Sequence, residues 1–423
     1  MNETAAAPRR RRWPRVLVAL TVLLLALALL GRWAMQPQRA VGFLLDRVGQ
    51  ALGLQVTVSG ASRYRLRGTP QLLLHGLDAR QPGATRPVLS AERVLLALPW
   101  STIRARGTDL TIERIELDAP VLDLAALRSW QATRPPGQTR IPRLTRGLAI
   151  KRGRVIEQGW SLDAVGIDLP QLAPGEPLAA KVQGRYLDPP LRVDADLDVA
   201  MSQPAAQAGL GIVGTLDIVG EAFALPSHVR LHGPLRLQRD GLRMHPATLS
   251  MRAHYRTRRS DLPFALGVHG PVEFRDGTLA LRAGALALRG RGTIPQADAL
   301  GDVAFGGSLS LALDGRIRTW PDAWPALPPP IGQSDSPLPF TLRYAGAPDL
   351  ADAADLVLQR DDTRFHARFH LPQVTRWVDA KMQPSPLPPL RGTLSTPRMD
   401  IAGAQLHGVE IEFDDPDIAS PVQ

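Results

Sequence analysis

Residues 107–127, GTDLTIERIELDAPVLDLAAL, alternate apolar and polar side chains as a β-strand does, but the alternation slips twice. The first slip is at Glu113-Arg114, where two polar residues fall together, and the second is at Pro120, which cannot donate a hydrogen bond to a neighbouring strand. A one-residue slip sends the following side chains to the other face of a sheet. A bulge or turn at each slip would restore one apolar face, formed by Leu110, Ile112, Ile115, Leu117, Leu122 and Leu124.

Regular alternation recurs along most of the remaining chain. In residues 191–200, LRVDADLDVA, the apolar side chains share one parity, and Arg192 and three aspartates share the other. Alternation of this kind indicates strands with one buried and one solvated face, so it predicts a mainly β protein with a mostly antiparallel sheet. The same pattern is found in HVRLHGPLRLQ (228–238), FALGVHGPVEF (264–274), LSLALDGRI (309–317), FHARFHL (365–371) and VEIEF (409–413), and RDGT at 275–278 predicts a hairpin turn.

The apolar faces of these strands need a cover, because helical periodicity nearly vanishes after residue 53 and no helical layer is expected. Sheets could pack as sandwiches, close into a barrel, or stay open and curved with lipid acyl chains on the inner face. The inward side chains are mostly aliphatic and aromatic residues make up only 5% of the chain, which favours the open sheet over a dry sandwich. We therefore predict a long, curved, mostly antiparallel sheet that forms a groove, with β-sandwiches as the alternative.

The residues predicted to line this groove are alternating apolar residues of the middle strands. Packing against other parts of the protein is the other explanation for each of them. They are Leu191, Val193, Leu197, Val229, Leu231, Leu235, Leu237, Leu266, Val268, Leu309, Leu311 and Leu313.

The N-terminal sequence predicts a membrane anchor. Residues 16–30, VLVALTVLLLALALL, carry no charge and follow an arginine-rich segment. The distance from Trp13 to Trp33 is about 30 Å at ~1.5 Å per helical residue, which matches the hydrocarbon thickness of a bilayer. A cleaved signal peptide is the alternative, but no small-x-small site follows directly. We predict a transmembrane helix over 15–33, with Trp13, Arg15 and Trp33 at its ends, residues 1–14 as a cytoplasmic basic tail, and residues 34–423 outside the cytoplasm.

Two kinds of segment interrupt the strands. Residues 38–53, QRAVGFLLDRVGQALG, have apolar side chains at helical spacing and predict a short amphipathic helix. Proline-rich breaks at 134–143, 321–339 and 384–389 predict loops or segment boundaries.

Composition excludes several classes of function. The net charge of +10 comes almost entirely from arginine, but acids are interleaved with the arginines and aromatic residues are scarce, so we predict no nucleic-acid binding. The chain has no cysteine, which excludes disulfides, thiolate metal sites and a cysteine nucleophile and suits a periplasmic protein.

Motifs with catalytic or cofactor chemistry are also not supported. Residues 209–214, GLGIVG, match a dinucleotide fingerprint in letters, but a strand pattern follows where a helix is required, so we predict a turn that enters a strand. His228 and His232, like His366 and His370, are four residues apart, which on a strand is about 13 Å and too far for one metal ion. We therefore predict no enzyme, no metal site and no cofactor.

The opening stretch has the spacing L-x-I-x-x-I-x-L-x-x-P-x-L-x-L, followed by Trp130, and PVLSAERVLLALPW at 87–100 precedes it. This arrangement resembles the AsmA family of Gram-negative envelope proteins, and residues 390–413 are similar to the closing repeat of that family. The resemblance implies an AsmA-like module over 34–131, middle groove strands over 132–383 and a C-terminal repeat and tail over 384–423. It also implies an inner-membrane-anchored periplasmic β-groove related to bridge-like lipid transfer proteins.

Two functions from different classes follow. The first is an inner-membrane-anchored periplasmic protein that holds or conducts phospholipid acyl chains and supports inner-to-outer membrane lipid transport and outer-membrane homeostasis. Its expected partners are phospholipid, the inner membrane and an unidentified outer-membrane or periplasmic protein. The alternative is a scaffold or assembly factor for outer-membrane protein biogenesis or secretion that binds no lipid.

Overall fold

The computed structural model describes residues 53–415 and Ile418, except 66, 105–110, 134–140, 239, 259, 325–326, 328–329, 335, 380–387 and 402–403. Of the described residues, 65% lie in strands and 7% in helices, so this part of the chain is mainly β, as its alternating sequence predicts. It forms two compact units, Met1–Glu221 and Ala222–Gln423, which we describe one at a time.

The described residues of the first unit form thirteen strands and two short helices. Helix α1 is Trp100–Arg104 and helix α2 is Leu124–Ala132. The strands are β1 Gln55–Val58, β2 Arg63–Arg65, β3 Gln71–Arg80, β4 Leu89–Ala97, β5 Thr111–Ile112, β6 Arg114–Asp118, β7 Val121–Asp123, β8 Arg143–Leu144, β9 Leu148–Ile156, β10 Ser161–Leu169, β11 Leu178–Asp188, β12 Leu191–Met201 and β13 Gln207–Val219.

All strands of the first unit except β5 and β8 belong to one mostly antiparallel sheet. Its exceptions are β6 and β7, which both pair with β9 in parallel. Strands β5 and β8 form a separate parallel pair. The β-sandwich alternative is therefore not found among the described strands of this unit.

The opening stretch breaks at the two predicted slips. Strand β5 ends at Ile112, Glu113 forms a bend, and β6 begins at Arg114. The second break follows β6, where Ala119 adopts a positive φ of 46° before Pro120. These breaks turn the apolar side chains toward one core, because Ile112 and Ile115 are buried and Leu117, Leu122 and Leu124 pack against the same cluster. The predicted interruptions at both slips are confirmed for residues 111–127, but each is a bend where a bulge or tight turn was expected, and Leu110 lies outside the described residues.

Helix α2 covers the core of the first unit and was not expected from the sequence. The Asp123 side chain caps it by accepting a hydrogen bond from the amide of Ala126 at 2.9 Å. The helix contributes Leu127 and Trp130, which are 7% and 2% exposed, to a core that comes mostly from the strands of this unit. An acceptor at the N-cap stabilises the first turn of a helix, which explains why a strand-like sequence becomes helical after Asp123.

The described residues of the second unit form eleven consecutive antiparallel strands of one sheet. A 3₁₀ turn at Ile331–Gln333 and a third helix, α3 Leu371–Asp379, lie between them. The strands are β14 Ala224–Leu237, β15 Gly241–Arg256, β16 Asp261–Arg275, β17 Thr278–Gly290, β18 Gln296–Phe305, β19 Leu309–Thr319, β20 Leu338–Gly346, β21 Ala354–Arg360, β22 Thr363–Phe369, β23 Arg391–Ile401 and β24 Ala404–Phe413. The predicted hairpin at 275–278 is confirmed by the pairing of Arg275 with Thr278.

Strands β15 and β17 of the second unit, which are separated by β16, each contain one extra residue at the same position along the sheet. The register of β15 with both neighbours shifts around His245-Pro246. The register of β17 shifts between Leu281 and Gly284. In β17 the inserted Ala283 has a φ of 44°, and its amide donates a hydrogen bond to Asp302 Oδ1 at 2.7 Å. Such bulges bend a strand and increase its twist.

Small residues connect the two bulges across the sheet. Ala247 pairs with Gly270, and Gly284 pairs with Gly301. A Cβ on Gly270 would lie 2.9 Å from Gly284 Cα, and one on Gly301 would lie 2.0 Å from the carbonyl oxygen of Ala312. We call this line, formed by Gly233, Ala247, Gly270, Gly284 and Gly301, the crease.

Two local predictions are wrong. Strand β22 ends at Phe369, and Leu371 begins α3, because Pro372 is tolerated in the first turn of a helix and interrupts a strand. The GLGIVG segment lies inside β13 and is not a turn, because its apolar residues continue the strand pattern.

Several predictions fall on residues that the structure does not describe. They are the tail over 1–14, the transmembrane helix over 15–33 with Trp13, Arg15 and Trp33, the amphipathic helix over 38–53 apart from Gly53, and most of the proline-rich breaks at 134–143 and 384–389. Within the described part of the chain, no helix has the length and apolar character needed to span a membrane.

Candidate functional site: the half-covered apolar face

In the first unit, strands β11–β13 present an aliphatic face that is only partly covered. They pair without a register shift, so Val193 lies opposite Tyr186 on one side and Ile218 on the other. Leu191 and Leu197 lie on the same face of β12 as Val193, and all three are half-buried. The structure thus places the three predicted groove residues of β12 on one face and leaves their side chains partly accessible to solvent.

In the second unit, strand pairing places apolar residues in straight rows across the sheet. The central row starts at Leu231 of β14, and each member lies directly opposite the next. It continues through Leu249, Val268, Leu286, Ala299, Gly315, Phe340, Leu358, Phe365, Leu394 and Ile411.

The other predicted residues of this unit lie on the same face as the central row. Leu266 is paired with Met251, which is paired with Val229. Leu313 lies opposite Gly301 of the crease. Two further rows run parallel to the central row. One connects Leu235 to Leu311 through Met244, Val272, Leu281 and Val303. The other connects Leu237 to Leu309 through Leu242, Phe274, Leu279 and Phe305.

Burial changes sharply along the central row. Leu358 and Leu394 are 0% exposed, whereas Val268 and Leu286 remain half-buried. We call β20–β23 the covered part of this face and β14–β18 the open part. The open part also has buried positions, including Val229 at 8% and Leu235 at 7%. These two predicted residues therefore pack against protein more fully than the other predicted residues of this unit.

Large apolar side chains project into solvent where strands of the open part end. Phe274, Leu279 and Phe305 are 42%, 46% and 48% exposed, respectively. Leu279 lies opposite both phenylalanines, so the three form one continuous patch. We call this patch the exposed rim. Larger contiguous apolar patches of this kind are typical of interaction sites.

A proline-rich segment packs on the covered part. Its described residues within 320–337, which we call the cap, include Ile331, a member of the buried cluster that is 1% exposed. Trp320 and Leu327 pack against the same cluster. Trp324 stacks edge-on against Trp320 at 4.9 Å, and its Nε1 donates to the carbonyl of Thr293 at 2.8 Å. The predicted proline-rich break is therefore a loop that folds over the sheet.

Polar contacts hold the cap at its other end. Nη1 of Arg360, at the end of β21, donates to the carbonyl of Ile331 at 2.7 Å and also to that of Ser334. The hydroxyl of Ser336 donates to Asp361 Oδ1 at 3.3 Å. Hydrogen bonds from a guanidinium are among the stronger ones in proteins, so these contacts fix the position of the cap.

The opposite, solvated face of the second unit carries ion pairs that cross strands. Asp298 accepts from Arg289 on one side and from Arg318 Nε at 2.6 Å on the other. The hydrogen bond from Arg289 is the main cause that holds the pKa of Asp298 below its usual value. Asp314 accepts from Thr341 Oγ1 at 2.7 Å and from Arg343, and both bonds lower its pKa. The sheet therefore has one charged and one aliphatic face.

The histidines singled out in the sequence do not gather into a site. His228 and His232 are exposed on the solvated face of β14. His366 lies in β22, while His370 follows that strand and its Nδ1 lies 2.8 Å from the carbonyl oxygen of Ala351. Within the described ranges, no group of three or more histidine, aspartate or glutamate side chains lies close enough to hold a metal ion.

Sequence reasoning missed members of the apolar face on the two bulged strands. Leu249 and Met251 of β15, and Leu286 and Leu288 of β17, lie opposite predicted residues or their neighbours. The extra residue reverses the alternation halfway along each strand, so neither segment shows one clean pattern. The signal that could have identified them is two half-length alternations separated by one residue.

No family model, no curated protein and no solved structure matches this chain.

Proposed function

We propose that this protein binds phospholipid acyl chains on its half-covered apolar faces and supports lipid transfer between the inner and outer membranes. The observation that carries the proposal is the open part of the second unit, where the central row of aliphatic residues remains half-buried. The exposed rim supports it, because water is an unfavourable neighbour for three adjacent large apolar side chains.

Simple energetics support an aliphatic surface for this task. Each methylene removed from water contributes about 0.8 kcal/mol, so the two long chains of a phospholipid face a cost of roughly 20 kcal/mol in crossing water. Contacts with leucine, valine and alanine side chains are non-directional, so a chain can slide along the rows with little change in free energy. The function needs no catalytic group and no cofactor.

The sequence supplies the rest of the proposal. The apolar segment over 16–30 supports an inner-membrane anchor, and the arginine-rich flank supports a periplasmic location for the strands. The spacing in residues 110–124 supports membership of the AsmA family.

A charge placed on the apolar face tests the lipid proposal. Val268→Asp puts a carboxylate in the central row at a half-buried position. We expect a folded protein with several-fold less copurifying phospholipid, because an acyl chain cannot solvate a carboxylate. The measurement is lipid phosphorus per chain and lipid mass spectrometry after purification of the full chain in mild detergent.

The matched control is Leu300→Asp. Leu300 is also a sheet residue and is 63% exposed. It pairs with Ala285 and lies on the solvated face of the sheet, opposite to the face of Val268. We expect the control to keep its lipid. A wild-type protein without phospholipid, together with a Val268→Asp variant that unfolds, would instead support the scaffold or assembly factor with a dry core.

A further inference from the structure

We infer that the cap is a built-in end of the lipid-binding face, so that the open part is a bounded site whose length limits how much acyl chain one molecule holds. The inference rests on the proposed function and adds the place where the site ends. Its basis is that the central apolar row is packed under the cap in the covered part and is half-buried in the open part of the second unit.

The rows themselves do not end at the cap. The central row continues without interruption from Leu286 through Phe340 to Leu358, so the apolar surface of the open part extends into the covered part, where phenylalanines join the leucines. In the covered part, the cap contributes Ile331 and Leu327 to the cluster that contains Leu358. Apolar side chains of the cap thus occupy a surface that an acyl chain could otherwise contact.

The cap also reaches the boundary with the open part. Trp324 is hydrogen-bonded to Thr293, in the loop between β17 and β18, and Ala297 of β18 packs against the covered cluster. Beyond this point toward β14, the central row is half-buried. The cap therefore ends where the open part begins.

The length of the open part fits this role. Strands β14–β18 extend roughly 19 Å across the sheet at ~4.8 Å per strand step. One leaflet of a bilayer, half of the ~30 Å hydrocarbon thickness, accounts for about 15 Å of acyl chain. The open part therefore accommodates about one chain length along the row direction.

Arg360 is the residue on which release of the cap depends. Its side chain is half-buried and donates to two cap carbonyls, while its Nε is buried without a partner among the described residues. Removing the guanidinium takes away both of these hydrogen bonds to the cap, whereas the pairing of β21 is made by backbone groups. Arg364, an exposed arginine of the adjacent β22, provides the matched control.

The experiment uses a single cysteine introduced at position 331, since the chain has none of its own. Ile331→Cys is compared alone, with Arg360→Ala and with Arg364→Ala in the full chain. We expect slow maleimide labelling of the introduced thiol in Ile331→Cys alone and together with Arg364→Ala. We expect labelling roughly tenfold faster with Arg360→Ala, together with more phospholipid per chain by phosphorus analysis.

Faster labelling with unchanged lipid would overturn the inference, because it would show that releasing the cap opens no further lipid-binding surface. If Arg360→Ala leaves labelling slow, Ile331→Asp replaces it and expels the cap by charge. A folded Ile331→Asp variant with unchanged lipid overturns the inference as well.

Two further outcomes separate the inference from the proposed function. An Ile331→Cys protein that carries no lipid but whose introduced thiol is protected from maleimide would remove the proposed function. A lipid-loaded Ile331→Cys protein whose introduced thiol is labelled freely would remove the cap alone.

Discussion

Leu286 and Leu358 belong to the same row of the same sheet, yet Leu286 is half-buried and Leu358 is 0% exposed. Both side chains point to the aliphatic face, although β17 carries a bulge and β21 does not. Leu358 belongs to a buried cluster that contains other strand residues and Ile331 of the cap, whereas Leu286 lies outside that cluster. Two residues of one row therefore share a face, whereas the burial of each depends on remote parts of the chain.

The largest effect that tests this comparison comes from truncating the two leucines. Leu358→Ala is expected to lower the free energy of unfolding by about 2–5 kcal/mol, since it leaves a cavity in a closed core. Leu286→Ala removes the same atoms from a half-exposed position and is expected to cost less than half as much. Urea unfolding of lipid-free protein measures both values. Equal losses would show that the open part is as dry as the covered part.

The crease provides a smaller effect within the open part. Gly301 has a φ of 152° and no room for a side chain beside Ala312. Gly301→Val is expected to destabilise the protein by about 1–3 kcal/mol through backbone strain and contact with the neighbouring strand. Gly307→Val is the control, because nothing lies within 4 Å of its added Cβ. A smaller loss of unfolding free energy for Gly301→Val than for Gly307→Val would mean that the crease does not require a glycine at position 301.

The smallest effect concerns the charged face and its response to acid. Because Arg289 lowers the pKa of folded Asp298, the ion pairs stabilise the fold above the unfolded pKa of about 3.9. This contribution disappears as the pH falls through the lower, folded pKa. We expect the urea midpoint of wild-type protein to fall more below about pH 4 than that of Asp298→Asn. Since these ion pairs are largely exposed, the difference between the two urea midpoints should be small. Midpoints that fall in parallel with pH would show that the ion pairs do not contribute to stability.

Much of this fold is predictable from local sequence. The alternation at 191–200 and 264–274 gives strands β12 and β16 and the correct face for Val193 and Val268. The two slips in residues 107–127 give the positions at which the strands are interrupted. These features depend on neighbouring residues only, which explains why a single sequence suffices for them.

The remaining features depend on contacts between distant residues. The proline-rich composition of residues 321–339 predicts a loop, but the contacts of Ile331 with the sheet and of Arg360 with its carbonyl join residues 29 positions apart. The bulges of β15 and β17 conceal Leu249 and Leu286, because the extra residue shifts the parity within one strand. The cover of the candidate site was therefore the least predictable property of the chain.

The alternation of straight and bulged strands has a consequence for how such a chain can vary in length. Strands β15 and β17 each contain one extra residue at the same position along the sheet, and the strand between them contains none. The repeating unit is therefore a pair of strands, one bulged and one straight. Loss of one strand would bring two bulges out of step, whereas gain or loss of a hairpin keeps the crease aligned. Related chains are therefore expected to lengthen or shorten this sheet by pairs of strands, about 10 Å at a time.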